Sequence, residues 1–118
     1  MILAHVVDDF VLQPVCLSKL KQKSWWEKQE GYKRLYKDDY KMALLIHSMS
    51  WSIMTLLPAI FMLNTTSALL FSVFIVNTLI HYVVDNEKAN KGHLNLMADQ
   101  FIHLSQIFAS WVILCQWI

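Results

Sequence analysis

The chain has 118 residues, so a single domain spanning 1–118 is the expectation. Its residues are 56% hydrophobic and only 16% charged, with a mean hydropathy of +0.37. A soluble domain carries nearer about 25% charged residues. The composition therefore argues against an ordinary water-soluble domain, and a net charge of +1 gives no support to nucleic-acid binding.

Segment 1–17 is the first candidate helix. Residues 1–16 hold eight Ile, Leu, Val and Phe side chains, together with Asp8 and Asp9. At about −0.5 kcal/mol for each apolar side chain and roughly +3 for each aspartate, the acids more than cancel the gain. Alone, this helix is not expected to insert in a bilayer. It belongs there only if its carboxylates meet partners. The stretch has no basic start and carries two acids, so it does not read as a secretory signal.

Residues 19–41 differ in kind. Eight of the ten Lys and Arg lie between Lys19 and Lys41, interleaved with Trp25, Trp26, Tyr32, Tyr36 and Tyr40. This pattern suits an amphipathic segment at headgroup level, and a solvated basic loop is the plainer alternative. Four interspersed acids speak against nucleic acid as a partner.

Residues 42–63 and 67–85 are the clearest membrane helices. The first run has no formal charge over 22 residues. At 1.5 Å per residue that is roughly 33 Å, enough for a hydrocarbon core. Only Asn64, Thr65 and Thr66 separate the two runs, so they read as a helical hairpin. Residues 97–118 form a further apolar stretch, with Trp111 and Trp117 placed for an aromatic belt. The expected fold is all-α: a small transmembrane bundle of about four membrane helices plus the interfacial segment. The lipid bilayer is then the first partner, and 118 residues leave room for a homo-oligomer.

Positive charge sets the orientation. Segment 19–41 and loop 86–96, with Lys88 and Lys91, hold all of it. The positive-inside rule puts both in the cytoplasm and both termini outside, which implies a multi-pass protein of the inner (cytoplasmic) membrane. Cys16 and Cys115 have no metal-like spacing and read as buried free thiols in a reducing compartment.

Three pairs carry the chemistry. His5 and Asp9 are four apart, as are His81 and Asp85, and Asp99 and His103. Residues at i and i+4 share a helix face. His47 lies about one turn inside its helix. The derived orientation puts His47, His81, Asp85, Asp99 and His103 in one layer near the cytoplasmic face, which His5 and Asp9 reach if their helix is short or tilted. Ionisable groups at membrane depth normally face the bundle interior and mark function. Neutral imidazoles with carboxylates suit Zn, Mn or Fe, as one ion or two. Proton relay without metal is a second use, and stapling of helices a third. Gln13 and Gln100 are placed to support the ligands. Lys88 follows Asp85 by less than one turn and could meet a phosphate or a lipid headgroup. Asp8 is expected to face away from Asp9, and His93 to be solvated.

These residues resemble a known family, the domain of unknown function number 3307. The resemblance rests on Ala4 to Gln13 (Ala-His-Val-Val-Asp-Asp-Phe-Val-Leu-Gln), Leu45 to Ser48, His81 to Lys88, and Asp99 to Leu104. Asp8 departs from it, standing where a small residue is expected. The resemblance implies a small bacterial or phage membrane protein with this polar motif set, and it supplies no activity.

The leading functional expectation is a metal-dependent membrane hydrolase acting on lipid or phosphoester at the cytoplasmic leaflet. His5, Asp9, His47, His81, Asp85, Asp99 and His103 would bind metal or activate water. Two alternatives stand beside it. One is a metal-ion or proton transport component, since paired HxxxD motifs also look like the zinc site of cation diffusion facilitators. The other is a non-catalytic phage or host accessory protein.

Overall fold

The computed structural model describes residues 1–13, 15–62 and 66–116, except the side chain of Tyr32. Leu63, most of the expected 64–66 turn, Trp117 and Ile118 lie outside the described residues. The described chain is helical and contains no strand.

Helix α1, Ile2–Val6, continues as wider π-helical turns over Val7–Leu12. It stops at Gln13, whose ψ of 97° is extended. The single helix expected over 1–17 is therefore two, and the second, α2, is Val15–Leu20. The reason is local. Residue 14 is proline, and the residue before a proline is pushed out of the helical region. The Ile2–Leu12 portion covers roughly 16 Å, about half of a hydrocarbon core.

The basic segment folds back as α3, Lys23–Trp26, followed by π-helical turns at Tyr32–Tyr36. The Trp26 indole donates to the Leu20 carbonyl at 2.8 Å. Asn90 anchors the segment from afar. Its side chain accepts from the Lys23 amide at 2.7 Å and donates to the Lys21 carbonyl at 3.1 Å.

Three long helices make the body: α4, Asp39–Met62; α5, Ser67–Asn86, with a π-helical extension Glu87–Lys91; and α6, Leu96–Cys115. Among the described residues, two helices are long and apolar enough to cross a membrane, Asp39–Met62 and Ser67–Lys91. That is the extent of the correspondence with the four membrane helices expected. Gly92, at φ 67°, ends the α5 extension in a left-handed turn that glycine adopts without strain. Asn95 then caps α6, its side chain accepting from the Ala98 amide at 2.8 Å. The cap places Asp99 in the first turn of α6.

Helices α4 and α5 run antiparallel, joining Trp51 to His81 and Ser52 to Thr78. Helix α1 runs antiparallel to α4, so that His5 meets Trp51 and Asp8 meets Ser50. An apolar cluster of Leu56, Ala59, Val73 and Leu114 closes the end away from the lysines. Among the described residues, fifteen polar or charged side chains are buried against nine hydrophobic ones. Large apolar side chains such as Phe61, Phe71 and Phe101 face outward. This is a polar interior with an apolar exterior, the reverse of a soluble domain. Cys16 is exposed and Cys115 half-buried, so neither free thiol is buried as expected.

The cap at Asn95 makes a quantitative prediction. Asn95→Ala is expected to lower stability by about 1 kcal/mol, and Asn95→Asp to retain most of it. Unfolding of the purified protein in mixed micelles, titrated with sodium dodecyl sulfate, measures both.

Candidate functional site

The site forms where α1, α4, α5 and α6 meet near their lysine-bearing ends. Three imidazoles come from three helices: His47 from α4, His81 from α5 and His103 from α6. All three are buried. The His81 and His103 rings stack at 4.1 Å, and the His47 ring lies 5.0 Å from that of His81.

Asp85 is the common partner. One of its oxygens lies 3.7 Å from His81 Nε2 and 3.5 Å from His103 Nε2. The other lies 3.5 Å from His47 Nε2. Asp9 faces the same His47 nitrogen at 3.5 Å. Two groups have the composition and spacing to hold a metal ion, Asp9–His47–His81 and His81–Asp85–His103. They share His81, so five side chains surround one small volume.

The spacing is informative. Hydrogen bonds between such groups close to about 2.7–3.2 Å. The separations here are 3.5–3.7 Å. Two ligands about 2.05 Å from a tetrahedral ion stand roughly 3.3 Å apart. The separations are thus long for hydrogen bonds and compatible with ligands around an ion. Consistently, Asp9 Oδ1 and both ring nitrogens of His81 and His103 are buried with no hydrogen-bond partner among the described residues. Buried polar atoms normally have one. The donor set thus fits a divalent cation such as Zn, Mn or Fe.

His5 and Asp99 stand just outside this set. His5 Nδ1 accepts from the Trp51 indole at 2.7 Å, and its Nε2 faces the Gln100 carbonyl oxygen at 3.1 Å. Both ring nitrogens are thus engaged. Asp99 accepts from Lys88 at 2.6 Å and from Gln100 at 3.1 Å, while its other oxygen lies 3.4 Å from His103 Nε2. It faces the same His103 nitrogen as Asp85 does, from the first turn of α6. All seven His and Asp residues picked out in the sequence converge, but into five at the centre and two beside it. His93 is apart, exposed and paired with Glu87 at 2.7 Å.

Three participants were not anticipated. Asp8, expected to face away, is buried; it accepts from Ser50 at 2.8 Å and lies 3.9 Å from His47 Nδ1. The π-helical turns narrow the angle between successive side chains, so that Asp8 and Asp9 both face inward. Lys21 is buried and bonds Asp85 at 2.7 Å and Gln13 at 3.3 Å. Its charge looked like part of a surface run. Trp51 is fully buried and stacks on His81 at 4.4 Å. Its position four residues after His47 was the available signal. Of the four aspartates, Asp85 pairs with Lys21 and Asp99 with Lys88, whereas Asp8 and Asp9 face Ser50 and imidazoles rather than a lysine.

A family model described as protein of unknown function (DUF3307) matches residues 1–117. The chain belongs to this family. That agrees with the resemblance carried by the His/Asp motifs, and in the DUF3307 chain those motifs now have a common location. No match is found among curated proteins or among solved structures.

The Trp51–His5 hydrogen bond can be weighed separately. A double-mutant cycle of Trp51→Phe and His5→Ala is expected to give a coupling energy of about 1 kcal/mol. Additive losses in the same micellar unfolding assay would mean that Trp51 acts by packing alone.

Proposed function

We propose that this protein is a metal-dependent membrane hydrolase with its centre near the cytoplasmic face. One observation carries the reading: buried, unpartnered nitrogen and oxygen atoms of Asp9, His81 and His103 converge at ligand-like spacing beside a polar cleft. A divalent ion held there would supply Lewis acidity and make a water more acidic. His47, His81, His103, Asp9 and Asp85 would hold it. Trp51, stacked on His81 and bonded to His5, would help to fix the rings, as outer partners of metal ligands commonly do. The cleft of about 100 Å³ reaches Asp9, His47 and Asp85 from the side of Lys21, Lys88 and Gln100, giving water and substrate a route in.

Membrane placement is part of the same proposal. Two apolar helices and outward-facing Phe, Leu and Ile side chains support it. The lysines at the site's end of the bundle favour a cytoplasmic position for that end, in line with the positive-inside rule.

Transport is the second reading, favoured by a polar seam running deeper into the bundle. Thr78 donates to Ser52 at 3.0 Å, and Asn77 joins both Gln106 and Ser110. Flux of the bound metal in proteoliposomes would favour this reading over hydrolysis.

Metal analysis of the purified full chain tests the proposal. About one equivalent of Zn, Mn or Fe is expected, lost in His81→Ala and Asp85→Ala. His5→Ala is expected to retain metal at roughly 10-fold lower affinity. Wild-type protein with no stoichiometric metal would overturn the metal reading.

A further inference from the structure

Two polar clefts adjoin at the lysine-bearing end of the bundle. One, of about 340 Å³, is lined by Gln13, Ser18, Lys21, Gln22, Asp85 and Lys88, along with Ala89. The smaller one, leading to His47 and Asp9, shares Gln13, Lys21, Asp85 and Lys88 with it. The two lysines therefore stand at the junction between open solvent and the candidate metal centre.

Their hydrogen bonds do not exhaust them. An ammonium group has three N–H donors. Lys21 spends two, on Asp85 and Gln13. Lys88 spends one, on Asp99. One N–H on Lys21 and two on Lys88 remain without a partner among the described residues. The amide nitrogen of Gln13 is likewise uncommitted, because only its oxygen is engaged, by Lys21. Clustered N–H donors of this kind match an oxyanion with several acceptor oxygens.

Lys21 is held in place rather than trailing in solvent. Its side chain is 9% exposed, and its carbonyl accepts from Asn90. At the rim, Phe10 and Leu96 are exposed apolar side chains beside the smaller cleft. An oxyanion attached to an apolar chain could place its head at the lysines and its tail along that rim.

The geometry points to a phosphate-ester subsite at this junction, with Lys21, Lys88 and Gln13 as the donors. This inference rests on the metal-centre reading and names the substrate class for it. Without a cation, the Asp9 and Asp85 carboxylates that line the same cleft oppose an anion. A divalent cation held beside them offsets their charge, and the spare N–H groups can then act on a phosphate. Phosphate binding is thus coupled to metal occupancy. The ester could be a lipid headgroup or a soluble phosphate ester, and the recognising chemistry is the same.

Equilibrium dialysis of radiolabelled orthophosphate tests this, against the full chain in phosphatidylcholine nanodiscs. Metal content is measured on the same samples. Saturable binding is expected in metal-containing protein and is expected to fall at least about 10-fold on chelation. Lys88→Gln is expected to weaken binding about 10-fold at unchanged metal content, which separates the subsite from the metal centre. Lys88 is partly exposed, so this variant is the one expected to fold; Lys21→Gln is the second. Nanodiscs doped with phosphatidic acid that displace orthophosphate identify a lipid source. Displacement by added glycerol 3-phosphate alone identifies a soluble one. Metal-containing protein that fails to bind orthophosphate, or binds it equally well in both lysine variants, overturns the subsite and leaves the metal centre standing. Protein without metal overturns both.

Discussion

A carboxylate removed from water loses several kcal/mol of hydration unless cations or donors replace it. Asp8, Asp9, Asp85 and Asp99 all sit inside a bundle whose outer faces are apolar. Three of them are compensated from different elements. Asp8 takes a hydroxyl from α4, Asp85 an ammonium from the turn after α2, and Asp99 an ammonium from the α5 extension. Asp9 has only imidazole beside it. These requirements tie every element to the same point. The short helices that hold Lys21, and the Asn90 side chain that pins them, are there to deliver a counter-charge to Asp85.

The same constraint explains the half-length first helix. Its apolar residues alone are too few to hold two aspartates in a bilayer. Docked against α4, its acids meet Ser50 and His47, and Met1 packs on the apolar cluster of Leu56, Ala59, Val73 and Leu114. The helix is therefore stable only as part of the bundle. Trp51 links the two levels, with its indole nitrogen on His5 and its ring face on His81. A large aromatic with one donor fills the space under the imidazoles without adding another polar atom that would need a partner.

The proposed metal and phosphate chemistries are complementary. The interior brings carboxylates and imidazoles together, which suits a divalent cation. The mouth carries the lysines, which suit an anion. An ester that bridged them would have its phosphate at the mouth and its reacting bond toward the imidazoles. The polar seam of Ser52, Thr78, Asn77, Gln106 and Ser110 lies on the other side of the site, and hydrogen bonds within the bundle account for most of its groups.

Much of this was legible along the chain. Two long apolar runs read as helices because 22 uncharged residues have few other folds. His5, His81 and Asp99 each had a partner four residues away, and a helix places such pairs on one face whatever surrounds it. His47 was placed by depth. By itself the sequence determined an all-helical chain, its family, and the seven residues that gather. Tertiary structure alone decided how they group. That Asp9, His47, His81, Asp85 and His103 form the two clusters able to hold an ion, with His5 and Asp99 adjoining them, depends on rotations between helices that periodicity does not encode. Lys21 was hidden in a basic run because its use depends on a contact with Asp85 that crosses 64 positions of the chain. Asp8 was misjudged because the 100° step of an ordinary helix was assumed where the backbone takes wider turns, and only packing against Ser50 and His47 reveals that both acids face the same interior.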